Sequence, residues 1–423
     1  MAKKIIIGLS VILSIGMIIY SVKHSSKIGV GSDFHVFWQA GYDFFSGNNL
    51  YQPIENARSL IYPPFAAFIF QLLAIFPLRI SANIFFLVNF FILFPVTVTM
   101  IVKICQNFGF KEKIKTATIL ATICSLHFFW NNLKMYQVNF FIFTLCITGI
   151  YYYSKNKVHL SAIFFLIATF IKVFPVFFLL YVVIKHVRSK KVILYTLTGF
   201  FLCVTFSISP RGFETGINDH ITYYFTFLDE FQKGEVITWH TNHTLKAFIL
   251  KAFYPETRNI DINTSIYTTP LQVGNFFLFA IFIILMVMSV IVVKSKESKN
   301  LIINFSLIFI FTHLVSGITW TAHLVTMMFS DLPLFLLDVK KIHSIVHKVI
   351  HIILIITAFF LAIEGKDTTG EWLYYKLRYA DIFVIYPLIL FTYYCFIIIN
   401  KIDAFYNTST VINPDSRDVL EKL

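Results

Sequence analysis

The chain has 423 residues, of which 57% are apolar and 18% aromatic while only 13% carry charge. A soluble domain could not cover that much apolar surface, and repeated apolar runs of about 17–25 residues mark a polytopic helical membrane protein. The formal net charge of +13 does not signal nucleic acid, because the lysines stand in short clusters between apolar runs ("KEKIK", "KNK", "KHVRSKK", "KSKESK", "DVKK"), the pattern of the positive-inside rule.

In chain order, "MAKK" and the run at 5–22 imitate a signal peptide, but no small-residue cleavage site follows, so the run reads as a retained first span. The stretch "GVGSDFHVFWQAG" (29–41) then places one carboxylate, Asp33, at the mouth of that span. Asp33 reads either as a helix N-cap, which "SDF" suits, or as a functional group. Asp43 reads as a solvated face residue. Further spans are expected at 82–104, 116–133, 137–154, 191–209, 271–293, 300–318, 321–337, 343–363 and 381–399. Two stretches are ambiguous. Residues 61–78 are apolar with prolines at both ends, and 159–187 are interrupted by Lys172 and Pro175.

Lysine positions choose between the readings. If 61–78 spans and 159–187 is one span, Lys103, Lys111, Lys113, Lys115, Lys155 and Lys157 fall on the outer side. If 61–78 is interfacial and 159–187 is two short spans, those six are cytoplasmic with Lys185, Arg188, Lys190, Lys191, Lys294, Lys296, Lys299, Lys340 and Lys341. The second reading obeys the positive-inside rule throughout. It gives about 12 spans with both termini cytoplasmic, and two large outer loops, 23–81 and 210–270, carrying interfacial helices.

The unusual polar residues then gather on the outer side. Lys172 lies between two apolar half-spans, where an ammonium needs a partner or a wet cavity. It either snorkels to the surface or forms an anion site beside broken helices. His323, in "SGITWTAH", is a packing histidine, as His127, His313, His347 and His351 are, or a ligand to substrate. Gln137 and Asn139 open a span, where capping explains them almost as well as ligand contact. The five cysteines lack motif spacing, and no metal-ligand pair stands out. The triplets at Asn242, Asn263 and Asn407 match a glycosylation acceptor that often arises by chance.

The ordered motifs "SDFHVFWQAG", "GNNLY", "YPPF", Gln137-x-Asn139, Lys172-x-x-Pro175, "NHTL" and "SGITWTAH" together resemble glycosyltransferase family 87, of the GT-C superfamily, from about residue 1 to 340. Two departures stand out: Tyr136 replaces the family's usual glycine before Gln137, and Gly317 replaces its proline. The resemblance implies a membrane hexosyltransferase that moves a sugar, mannose by analogy, from a polyprenyl-phosphate donor to a lipid or glycan acceptor on the extracytoplasmic face. It implies that Asp33 is the general base, that Lys172 and His323 bind the donor phosphate, and that Tyr62, Gln137, Asn139, Asn242 and Trp320 contact substrate. It implies no cofactor besides the lipid-linked donor, and a monophosphate leaving group demands no metal.

The expected organisation is a catalytic membrane module at 1–209, an outer loop at 210–270, C-terminal membrane helices at 271–400 and a cytoplasmic tail at 401–423, in a plasma membrane. The alternative is a polytopic transporter or lipid flippase, but no pair of interrupted segments recurs in the two halves as inverted repeats require. Topology is testable by single-cysteine labelling in a cysteine-free background. Position 113 should label only from the cytoplasm, and 242 and 370 only from outside; external labelling at 113 with internal labelling at 137 would overturn the arrangement.

Overall fold

The computed structural model describes residues 2–52, 59–111, 113–233, 235–237, 242–254, 266–268, 271–294, 300–316, 319–339, 342 and 344–399. The expected tail at 401–423, the triplets at 263 and 407, Gly317, and Lys296, Lys299, Lys340 and Lys341 lie outside them.

The described chain is helical apart from one two-stranded antiparallel ribbon, β1 (Glu235–Ile237) with β2 (Ile266–Thr268). The helices are α1 (Ala2–Ser25), α2 (Asp33–Ser46), α3 (Pro64–Ala74), α4 (Leu78–Asn107), α5 (Ile114–Lys134), α6 (Asn139–Ser154), α7 (Val158–Ile171) and α8 (Val176–Lys185). There follow α9 (Lys190–Arg211), α10 (Phe213–Lys233), α11 (Leu245–Phe253), α12 (Leu271–Lys294), α13 (Asn300–Val315) and α14 (Thr321–Leu336). The last are α15 (Ile345–Ile363), α16 (Lys366–Thr369), α17 (Glu371–Tyr379) and α18 (Ile382–Ile399).

Four described helices, α4, α9, α15 and α18, are long and apolar enough to cross a membrane, and shorter apolar helices stand beside them. Their outward faces carry large apolar side chains: Leu197 and Phe201 on α9 and Val346 and Ile356 on α15 are all well exposed. Hydrocarbon is the solvent such faces suit, since a helix satisfies its own backbone there. The protein is a helical membrane protein.

Prolines punctuate these helices for local reasons. Pro64 opens α3 and Pro77 precedes α4, positions where a missing N–H costs nothing. Within α4, Pro95 follows a π turn at Asn89–Leu93, which absorbs the backbone bond that proline cannot make. Pro175 ends the run begun by α7. Lys172 adopts an extended conformation (φ −149°, ψ 127°) before α8 resumes at Val176, so the run divides into two short apolar helices at the expected place.

Elsewhere the structure differs from expectation. The expected span 321–337 is not one regular helix: α14 begins as a 3₁₀ segment at Thr321–Thr326 and is interrupted at Asp331. Pro333, two residues later, cannot continue the α-helical ladder, while Tyr386 donates a hydrogen bond to Asp331 at 2.7 Å. Asp43 is buried rather than solvated, its Oδ1 accepting bonds from Gln39 (2.9 Å) and Asn48 (3.0 Å). Helices α2 and α3 meet so closely that a Cβ on Gly41 would lie 2.2 Å from the Phe70 carbonyl oxygen.

Candidate functional site

Helix α2 carries Asp33 and is held at both ends. At its start the cap is Ser32, whose side chain accepts from the His35 N–H at 3.2 Å. Asp33 is the first residue of the helix and does not cap it. At the far end the buried Arg211 donates to the carbonyls of Asp43 (3.0 Å), Phe44 (3.2 Å) and Asn48 (2.6 Å) and pairs with Asp219. A guanidinium there bonds carbonyls at the helix end and matches its negative pole.

The turn between α5 and α6 brings Gln137 and Asn139 to the same place. Tyr136 sits at φ +48°, the left-handed region that glycine enters without penalty and other residues enter at a cost. Packing holds it there: its ring is buried, stacks on His24 with centroids 5.4 Å apart and meets Phe34 at 5.6 Å. Packing thus carries Tyr136 in a conformation that a glycine would adopt without penalty. Neither Gln137 nor Asn139 caps α6, whose N-cap, Val138, makes no side-chain bond.

Four side chains then join in one line. Lys172 Nζ donates to Asn139 Oδ1 at 2.8 Å, Asn139 Nδ2 donates to Gln137 Oε1 at 3.5 Å, and Gln137 Nε2 donates to Asp33 Oδ2. The two ends dictate the sense of this relay. An ammonium can only donate and a carboxylate can only accept, so both amides must be oriented as they are. Among the described residues no carboxylate lies within ion-pair distance of Lys172. Gln137 and Asn139 are buried, while Asp33 and Lys172 are half-buried.

Tyr62 closes one side, its ring centroid 6.0 Å from Lys172 Nζ, with its carbonyl bonded by the Tyr51 hydroxyl at 3.0 Å. Burial, reinforced by the Asp33 charge, pushes its phenol pKa up, so Tyr62 stays a neutral O–H. The Lys172 ammonium also acts electrostatically on both His313 and His323. His323 Nδ1 accepts from the Trp320 N–H at 2.9 Å, so the proton of a neutral ring is on Nε2. The Trp320 ring meets His323 edge-on, with centroids 6.4 Å apart.

Asn242 is brought near this segment but serves its loop. Its fully buried Oδ1 accepts from the Thr319 N–H at 3.1 Å, and the neighbouring His243 N–H donates to Thr319 O at 2.7 Å. A side chain so enclosed does not suit glycosylation. His313 was not legible as a site residue. No spacing rule ties it to Lys172, and only the fold sets them together. Among the described residues no group of His, Cys, Asp or Glu is placed to hold a metal ion.

The family model described as glycosyltransferase family 87 matches residues 60–317, a stretch that holds Tyr62, Gln137, Asn139, Lys172 and Asn242 but neither Asp33 nor His323. No curated protein matches the chain.

The assignment of the cap is testable by thermal unfolding in detergent. Ser32→Ala should lower stability by about 1 kcal/mol, the usual loss of an N-cap. Asp33→Asn should leave it nearly unchanged, since asparagine also accepts from Gln137. A Ser32→Ala variant as stable as the wild type would take the cap away from Ser32.

Proposed function

The chain belongs to glycosyltransferase family 87 and is a membrane glycosyltransferase, and on that premise we propose that it transfers a hexose, mannose first among candidates, from a polyprenyl-phosphate donor to a lipid or glycan acceptor, with inversion. In this reading the site opens on the extracytoplasmic side of a plasma membrane, in a twelve-span arrangement with both termini inside. The observation that carries it is the relay from Lys172 through Asn139 and Gln137 to Asp33. It sets a proton acceptor and a cation a few side chains apart, as displacement at a sugar phosphate needs.

Asp33 is the general base. As the acceptor oxygen attacks the anomeric carbon, its proton passes to the Asp33 carboxylate while the bond from that carbon to the phosphate oxygen breaks. The electron pair leaves with the lipid monophosphate. Gln137 fixes the carboxylate rotamer, so the base is already aimed when the acceptor arrives. Lys172 and the Nε2–H of His323 meet the charge that grows on the departing phosphate, in surroundings where water does little to screen it. Tyr62 and Trp320 offer ring faces to the sugar, and Asn139 keeps the ammonium in place. Asn242 contributes by holding the Thr319–Trp320 backbone.

The direct experiment incubates purified enzyme with a panel of polyprenyl-phosphate sugars and scores donor loss and new glycolipid. Mannose donor consumption is expected, and no turnover of any donor would end this reading. With the best donor, Lys172→Ala should cut kcat/KM by on the order of 10²-fold or more, the scale of one lost electrostatic contact in the transition state. Lys172→Arg should keep part of it, because charge persists while geometry changes. Lys185→Ala, which removes a cation that donates to the Tyr181 hydroxyl (3.2 Å), should behave as wild type. Equal kinetics for the two alanine variants would leave Lys172 a snorkelling residue.

A further inference from the structure

A second set of buried charges lies behind the site and has no part in the chemistry above. Glu364, just past α15, is fully buried. It faces Arg378 of α17, with Nε to Oε1 at 3.4 Å, and His127 of α5, with Nε2 to Oε2 at 3.5 Å. Arg378 is itself buried, lying over the Tyr374 ring at 4.2 Å and the Phe383 ring at 5.3 Å. Its Nη2 donates to the Thr321 hydroxyl at 3.1 Å, two residues before His323. Three residues after Arg378, the buried Asp381 pairs with Lys251 at 2.9 Å. Lys251 Nζ in turn donates to the Asn242 carbonyl at 3.3 Å, and Asn242 Oδ1 accepts from the Thr319 N–H.

Both lines end on the same short stretch. One reaches Thr319 and the other Thr321, and between them stands Trp320, with His323 one turn on. The stretch opens a 3₁₀ turn, whose intrinsic bonding is weaker than an α-helix's, and the Thr319 hydroxyl, which donates to the His313 carbonyl at 2.9 Å, joins the two lines in holding it. Buried ion pairs add little net stability compared with apolar packing, so four charged groups placed here call for another reason. Specific geometry is the one they supply, since each charged hydrogen bond restricts its partner's direction.

We propose that Arg378 and Asp381 are positioning residues that brace residues 319–323 from either side, setting the direction of Trp320 and His323. The proposal rests on the reading of His323 as a phosphate contact. It assigns a task in the transfer reaction to 364–381, a segment beyond the family match. Neither residue touches substrate.

Arg378→Ala would leave Glu364 buried with only His127 and risks misfolding, so the test uses milder changes. Thr321→Val removes the hydroxyl that Arg378 holds and keeps the shape. Arg378→Lys keeps the charge facing Glu364 but not the forked geometry. Full-length proteins in detergent are compared by hydrogen exchange and by kinetics with polyprenyl-phosphate mannose, with His323→Ala as reference. Both variants should exchange about tenfold or more faster at 319–326, as loss of a charged hydrogen bond implies, with 139–150 unchanged. Their kcat should fall by about tenfold with donor KM little altered, the signature of a transition-state contact misaligned. Unchanged exchange at 319–326 overturns the brace. Faster exchange with unchanged kcat, while His323→Ala is inactive, overturns its catalytic role. If His323→Ala itself turns over normally, the phosphate reading fails, and the exchange result still judges the brace.

Discussion

The site depends on one ammonium placed where a helix stops. Pro175 prevents α7 from running on into α8, and the four residues before α8 leave the helical ladder at Lys172. A cation among apolar half-spans has to be met by oxygen, and the one it finds is Asn139 Oδ1. That choice propagates. Once Asn139 turns its oxygen to the lysine, its amino group faces Gln137, whose own amino group then faces Asp33. A donor-only group at one end and an acceptor-only group at the other leave the two amides a single orientation. The carboxylate is thereby aimed, although more than a hundred residues separate it from the amides in sequence.

The supports around this relay divide the work by distance. Ser32 and Arg211 grip α2 at its two ends and set where Asp33 stands. The close approach at Gly41 sets how α2 lies on α3, and α3 follows the Tyr62-Pro63-Pro64 corner that walls the site. Tyr136 spends some backbone freedom to make the turn that delivers Gln137. Charged pairs behind the site act on the 319–323 stretch in a similar way. In the proposed reaction the half-buried Asp33, Lys172 and His323 carry the chemistry, and buried groups hold their geometry.

Much of this was legible in the sequence because it depends on local signals. Repeated apolar runs announce a helical membrane protein, Pro175 announces a broken helix, and Asp33, Gln137, Asn139 and Lys172 stand out as polar residues at the ends of apolar runs. Asp33 was open to a capping reading, and only the neighbouring Ser32 side chain decides against it. What could not be read are the pairings between distant positions. Asp43 looks solvated until Asn48 and Gln39 are seen to turn toward it. Arg211, Lys251, Arg378 and Asp381 look like loop charges until their partners arrive from elsewhere in the chain. His313 resembles other apolar-helix histidines until Lys172 is placed beside it. The break at Asp331 was hidden because the run from 321 to 337 is apolar enough to pass for a span, and hydropathy does not see backbone geometry.

The central claim is that the Asp33 carboxylate takes the acceptor's proton, and one substitution meets it directly. Asp33→Asn keeps shape and the Gln137 contact and removes only basicity. Turnover with the best lipid-linked donor should fall by at least 10²-fold, the lower end of the usual contribution of general-base catalysis, at about 10²–10⁴. Glu214→Gln, which alters an exposed carboxylate on α10, should turn over as wild type. If Asp33→Asn retains more than about a tenth of wild-type turnover, less loss than even that lower end, the carboxylate is not the base and the account of the reaction fails.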